Sequence, residues 1–312
     1  MDWLNDYEAD LREVFATSRG IIASFPPPLC TQGLAYLDRF NPFSDGSHKN
    51  FICYLLPFWL RPGYNLDLQL IRGMSAGNVL LMLYFFLQDD LMDTRDPASA
   101  DKLPLANLLF TECMNIYRPL FPADSPFWSY FNRYIREWAD SVTRERESDF
   151  FLEDRIRIAH KASPLKLCST AILLLTNRAE DISALEDLLH TVLITLQMLD
   201  DYEDWEEDFA EGNYNCLLAF TSSRSGIART ELSPEQVRAF IFTRSGLTQY
   251  SEIAAAHDRQ LTDSRLRIPH LAGFHRTLSQ NLQSIALSIE EEKRRLQGGG
   301  LGYWLSKHLK ES

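Results

Sequence analysis

A chain of 312 residues, 45% hydrophobic and 24% charged, is long enough to bury a sizeable core and too apolar to stay disordered. Its 31 Lys+Arg against 43 Asp+Glu leave a net charge of -12, a field that repels phosphate backbones and argues against nucleic acid as a partner. No basic stretch precedes the first apolar segment, and no apolar run continues unbroken for the length of a membrane span, so a cytoplasmic protein without an integral span is expected.

Apolar residues recur at spacings of three and four almost throughout, which predicts an all-α chain. In chain order the candidate helices cover about 4–24, 47–60, 65–94, 103–118, 125–147, 150–177 with a break at Pro164, 182–210, 234–260 and 269–296. The connections are short and carry Pro, Gly, Asn and Asp, as in "FPPPL" at 25–29, "NPFSDGS" at 41–47 and "EGNYN" at 211–215. None is long enough to separate domains, so residues 1–297 are expected to form a single helical domain. The "GGGLG" run then makes 298–312 a hinge and short amphipathic tail. Five scattered cysteines (Cys30, Cys53, Cys113, Cys168, Cys216) lack the close pairs of zinc or redox motifs and read as buried free thiols.

Two segments, "NVLLMLYFFL" at 78–87 and "LLHTVLITLQML" at 188–199, are apolar nearly all round, and both helices belong in the middle of a bundle. Each then ends in acid. After the first, Asp89 and Asp93 lie one turn apart with Asp90 beside them, a like-charge arrangement that destabilises a helix unless a cation offsets it. After the second, Asp200, Asp204 and Asp208 form one stripe at i, i+4, i+8, with Asp201 at its flank. A solvated acidic face is the plain alternative for either cluster. It explains less well why the two most apolar helices share the feature, because unpaired carboxylates beside a core carry a large desolvation cost. Hard divalent cations prefer carboxylate oxygens, and Mg²⁺ uses one or two protein carboxylates while keeping other positions for water or phosphate. Two such clusters facing one another would clamp a polyanion, with a diphosphate the natural candidate.

With these residues in view, the sequence resembles the class I isoprenoid (terpenoid) synthase superfamily, whose all-α single-domain bundle encloses a central cavity. "DDLMD" is similar to that family's first aspartate-rich motif, and the "LDDYEDWEEDFAEGNYN" stretch to its second. The second stretch fits two registers. Asp200, Asp201 and Asp204 match the second motif of prenyltransferases, whereas Asp200, Asp204 and Asp208 have the spacing of the terpene cyclase triad. It is also similar to the second motif of squalene and phytoene synthases. The resemblance implies three Mg²⁺ ions, with Mn²⁺ a possible substitute, held by Asp89, Asp90, Asp93, Asp200, Asp201, Asp204 and Asp208, with Asp89, Asp90, Asp93, Asp200 and Asp204 essential to catalysis. A homodimer is possible on the same ground.

Lys161, about 40 residues ahead of Asp201 and just before the Pro164 break, is similar in placement to the family's diphosphate-binding lysine. Arg95, Lys49 and Arg224 are further diphosphate candidates, and Tyr214 and Asn215 are candidate donors over the site. Phe58, Trp59, Tyr84, Phe85 and Phe86 are the expected cavity aromatics, which would shield an allylic cation from water and stabilise it through their ring faces. Bulk at Tyr84 and Phe85 favours a farnesyl-sized chain. The basic N-terminal stretch and paired arginines of chain-elongating relatives are absent. The expectation is therefore a Mg²⁺-dependent terpene synthase acting on one prenyl diphosphate; a prenyltransferase or squalene/phytoene synthase-like condensing enzyme is the alternative, and a non-catalytic acidic binding protein the third reading.

Overall fold

The computed structural model describes residues 2–93, 102–145 and 148–297, the side chains of Asp2 and Asp93 excepted. Helix is the only regular structure among them. The α-helices are α1 Asp2–Asn5, α2 Glu8–Ala23, α3 Leu29–Asp38, α4 Phe51–Tyr64, α5 Leu68–Asp93, α6 Leu103–Tyr117, α7 Phe127–Arg144, α8 Phe150–Glu153, α9 Ile156–His160, α10 Lys166–Leu175, α11 Ile182–Glu203, α12 Trp205–Glu211, α13 Cys216–Ser225, α14 Pro234–Phe242, α15 Gly246–Asp263 and α16 Pro269–Gln297.

These elements gather into two compact units, and the chain passes between them more than once. The first comprises 1–138, 162–186 and 268–271, the second 139–161, 187–267 and 272–312. In the first, α5 packs against α2, α4, α6 and α10. Its residues Ile71, Met74, Val79, Leu80, Leu83 and Leu87 are almost wholly removed from water, as the all-round apolar pattern requires. In the second, α13 packs on α8, α14 and α15. Cys216, Leu217, Ala219 and Phe220 are its buried contribution, and Phe220 meets Phe240 and Tyr250 edge-on and tilted at 5.9 and 5.5 Å.

Several boundaries differ from the sequence expectation, each for a local reason. The predicted 150–177 helix is divided into α8, α9, a 3₁₀ turn at Ser163–Leu165 and α10, because Asp149 caps a new helix and Pro164 sits in the turn. The predicted 182–210 helix breaks at Asp204, whose φ of -105° and ψ of 6° leave the helical region. Between α14 and α15, Ser245 takes a left-handed φ of 56°. Two ten-residue helices, α3 and α13, occupy stretches the periodicity leaves unassigned. Residues 68–92 and 179–203 are long and apolar enough to cross a membrane by composition, yet 72% and 61% of their most apolar windows are buried inside the protein, as in core helices.

Candidate active site

The first acidic end lies in the first unit, at the C-terminal turn of α5. Asp90 accepts a hydrogen bond from the Tyr36 hydroxyl at 3.3 Å and pairs with Arg39 at 3.7 Å and Lys102 at 3.5 Å. Burial, and then the Asp90 charge, push the Tyr36 phenol well up, so it stays a donor. The counter-charge demanded by the sequence at this end is thus supplied in part by the protein's own cations. Asp89 is half-buried beside Asp90. The Asp93 carboxylate and all of Arg95 lie outside the described residues.

Behind this end runs a set of aromatic rings. Tyr84 lies 4.9 Å from both Phe85 and Phe110, and Phe85 meets Trp138 edge-on at 4.6 Å. Phe86 turns the other way, toward Phe40 at 5.1 Å. Phe58 and Trp59 are not at this wall. Both are fully buried in the core, where Phe58 sits against Tyr7 at 5.6 Å and the Trp59 indole N–H donates to the Trp3 carbonyl at 2.9 Å.

The second acidic end, in the second unit, separates the aspartates by role. Asp201 is buried; its carboxylate accepts from the Gln197 amide at 2.7 Å and from the Cys216 backbone N–H at 2.5 Å. Burial pushes its carboxyl up, and those hydrogen bonds oppose the rise. Asp208 accepts from the Asn215 amide at 2.8 Å. Asp200 and Asp204, one turn apart, are exposed; Asp200 accepts from the Gln197 amide at 3.4 Å, and the Asp204 carboxylate has no hydrogen-bond or ion-pair partner among the described residues. Asp200 is open on its solvent side, yet the surrounding protein withdraws enough water that desolvation, followed by the charges of Asp201 and Asp204, pushes its carboxyl up to about 6; Lys161 acts in the opposite direction.

A pair of oxygen-only ligands one turn apart fits a hard divalent ion that completes its shell with water or phosphate oxygens. Among the described residues no three carboxylate, imidazole or thiol groups converge closely enough to hold an ion between them, so phosphate or water oxygens would have to supply the remaining positions. Asp204, and Asp200 with only a long contact from Gln197, are the residues open to hold it here, whereas Asp201 and Asp208 would first have to release closer partners.

Lys161 lines a crevice with Gln197, Asp201, Tyr214 and Cys216, and its ammonium donates to Glu145 at 2.5 Å. Burial works against its charge, but Glu145, with Asp201 behind it, raises its pKa above the ordinary lysine value. Tyr214 donates to Asp149 at 2.9 Å and accepts from the Phe151 N–H at 2.7 Å. Asn215 spends both amide hydrogens inside the protein. Neither is a free donor for an incoming anion. Lys49 is exposed just before α4, and Arg224 is exposed in the last turn of α13, where it stacks over Phe220 at 5.1 Å.

Sequence reasoning missed a buried polar network in the first unit, centred on Lys166, five residues past Lys161. The Lys166 ammonium is fully buried, donates to Glu137 at 2.6 Å and lies 4.6 Å over the Tyr134 ring. Ser163 donates to the same Glu137 oxygen at 2.7 Å, while Arg133 and Tyr134 both donate to Glu186. Burial pulls the Lys166 pKa down, and Glu137 resists the fall. An i, i+3 run of Ser163 and Lys166 in a Pro-containing turn carried no signal of this burial.

No family model matches the sequence, and no curated protein matches it by sequence. Solved structures do match the fold. A geranylgeranyl pyrophosphate synthase from Lactobacillus brevis complexed with citrate superposes with a TM-score of 0.65 at 13% identity, covering 88% of this chain and 96% of that one. A geranylgeranyl pyrophosphate synthetase from the archaeon Geoglobus acetivorans gives 0.63 at 16% identity, with 88% and 98% covered. A second structure of the Lactobacillus brevis enzyme gives 0.59 at 13%, with 91% and 96% covered. The chain therefore has the helical fold of these synthases along most of its length.

Proposed function

We propose that this chain is a Mg²⁺-dependent isoprenoid synthase that ionises a linear prenyl diphosphate and joins the allylic group to a second isoprenoid, in the manner of a prenyltransferase. The observation that carries the reading is the combination of a synthase fold over 88% of the chain with carboxylate pairs at the ends of its two long apolar helices. A separate acidic face on a binding protein would have no reason to recur on both.

In this reading Asp200 and Asp204 hold metal in the second unit, and Asp89 is the metal-holding carboxylate of the first. Bound Mg²⁺ would offset the negative charge that develops on the departing diphosphate. Arg39 and Lys102, now paired with Asp90, can turn toward a diphosphate, since an exposed ion pair of this kind is worth little by itself. Lys161 can do so by exchanging Glu145 for phosphate. The rings of Tyr84, Phe85 and Phe110 exclude water from the allylic cation and offer it their negative faces.

The terpene cyclase reading retains one specific support, the lack in this sequence of the basic N-terminal stretch and the paired arginines that bind a second diphosphate in elongating relatives. Incubation with Mg²⁺ and geranyl, farnesyl or geranylgeranyl diphosphate, each with and without isopentenyl diphosphate, separates the two. Prenyl transfer predicts a longer prenyl diphosphate only when isopentenyl diphosphate is present. A hydrocarbon or alcohol from a single substrate would establish cyclisation instead, and no turnover of any substrate contradicts both.

A further inference from the structure

Asn215 has no exposed surface and uses all of its side-chain hydrogen-bonding capacity. Its oxygen accepts from the Leu217 and Leu218 N–H groups at 2.9 and 3.1 Å, capping α13. That task needs only an oxygen, and serine or aspartate performs it about as well. The amide nitrogen does something a cap does not require. It donates to the Asp201 carbonyl at 2.7 Å, in the last turn of α11, and to the Asp208 carboxylate at 2.8 Å, in α12. One side chain thereby spans the break between two helices. The neighbouring Cys216 N–H fixes the Asp201 carboxylate at 2.5 Å, so both sides of the break are anchored to the start of α13.

Asp204 sits in the break itself, at φ -105° and ψ 6°, and is joined to Asp200 only by its backbone N–H on the Asp200 carbonyl at 3.0 Å. The angle at which α12 leaves α11 therefore sets the separation of the Asp200 and Asp204 carboxylates. We infer that Asn215 is a positioning residue: its amide nitrogen holds α11 to α12 and presents Asp200 and Asp204 as a pair to a divalent cation. The inference rests on the metal role proposed above for those two aspartates. It also explains why Asp201 is buried and Asp208 only partly exposed beside the open pair, since each is an acceptor that ties the break to α13.

Asn215→Ser separates the two tasks, because a serine oxygen keeps the cap while the amide is lost. Mn²⁺ with inorganic diphosphate is the probe, with bound Mn²⁺ followed by electron paramagnetic resonance in the full-length protein. Wild type is expected to bind. Asn215→Ser should keep the far-ultraviolet circular dichroism and urea midpoint close to wild type while its Mn²⁺ affinity falls about tenfold to a hundredfold, the usual consequence of losing an outer-shell partner. Asn215→Asp, which sets a third carboxylate against Asp208, should bind no better than the serine variant. A folded Asn215→Ser that binds as wild type does overturns the positioning role and leaves the metal reading standing. One that fails to fold also overturns it, since Asn215 would then support the fold rather than the pair. Absence of Mn²⁺ binding by wild type removes both.

Discussion

Acid should destabilise this protein through a buried chain of polar groups in the second unit. His257 Nδ1 lies 2.8 Å from the Thr195 hydroxyl, whose other neighbour is His275 Nε2 at 3.0 Å; His275 Nδ1 in turn lies 3.3 Å from Asp258. Both imidazoles are buried, at 8% and 0% exposure. Burial, followed by the nearby His275 and Arg155, lowers the His257 pKa from 6.5 to about 4. Burial lowers His275 as well, with Asp258 resisting and Arg276 assisting. The folded state thus disfavours the proton that the unfolded chain accepts at 6.5. The stability contributed by neutral His257 is complete above pH 6.5 and is lost as pH falls toward about 4, a total of about 3 kcal/mol, of which about 2 kcal/mol is gone by pH 5. That is a large part of a typical domain's margin. Urea unfolding followed at pH 7.5, 6 and 5 measures the loss, and His257→Asn, which keeps an N–H for Thr195 but does not titrate, should flatten the slope by about 2 kcal/mol over that range. A variant with the same acid slope as wild type would refute the assignment.

Other outcomes follow from the packing. Lys166→Met takes the buried ammonium from half-buried Glu137, which keeps Ser163 at 2.7 Å and Arg133 at 3.8 Å, and should cost about 1.5–3 kcal/mol in urea unfolding, whereas Lys166→Met with Glu137→Leu, which removes both charges, should recover at least half; a single-variant cost under about 1 kcal/mol contradicts the charge-assisted bond. Gly246→Ala places a Cβ 2.6 Å from the Phe240 carbonyl oxygen and against its ring, so it should lower stability by about 1–3 kcal/mol. Gly20→Ala, with open space around it inside α2, should instead raise stability by about 0.5–1 kcal/mol; equal effects of the two in thermal melts would mean that the contacts at Gly246 do not decide the result.

The parts of this structure that were legible in the sequence are those governed by local periodicity. Residues 78–87 are apolar nearly all round, and α5 is buried without interruption over 74–83. The missed helices fail that test in different ways. In α3 only Gly33, Tyr36 and Leu37 are buried, too few to mark a stripe, while Cys216–Thr221 in α13 is a short continuous buried run with no period at all. The acidic stripe was visible because i and i+4 share a face, but the division of labour within it was not. The Asp208 carboxylate is held by Asn215 and the Asp201 carboxylate in part by the Cys216 N–H, both at the start of α13, while Asp90 is offset by Arg39 and Lys102 and accepts a hydrogen bond from Tyr36, 54 residues away. Spacing within a helix carries no information about such partners. Lys166 illustrates the same limit, since nothing in its neighbours announces that a lysine there loses all contact with water.

The central claim is that the carboxylates ending α5 and those ending α11 are both required for the departure of diphosphate, and the kinetics of inorganic diphosphate release test it most directly. Release would be measured with Mg²⁺, isopentenyl diphosphate and the best allylic substrate for wild type, Asp89→Ala, Asp200→Ala and the double variant. Groups that act as a unit lose their effects non-additively. The account predicts that each single variant loses nearly all activity with its helical fold intact, and that the double variant is little worse than either. Retained turnover in a single variant, or losses that multiply as for independent sites, would contradict it.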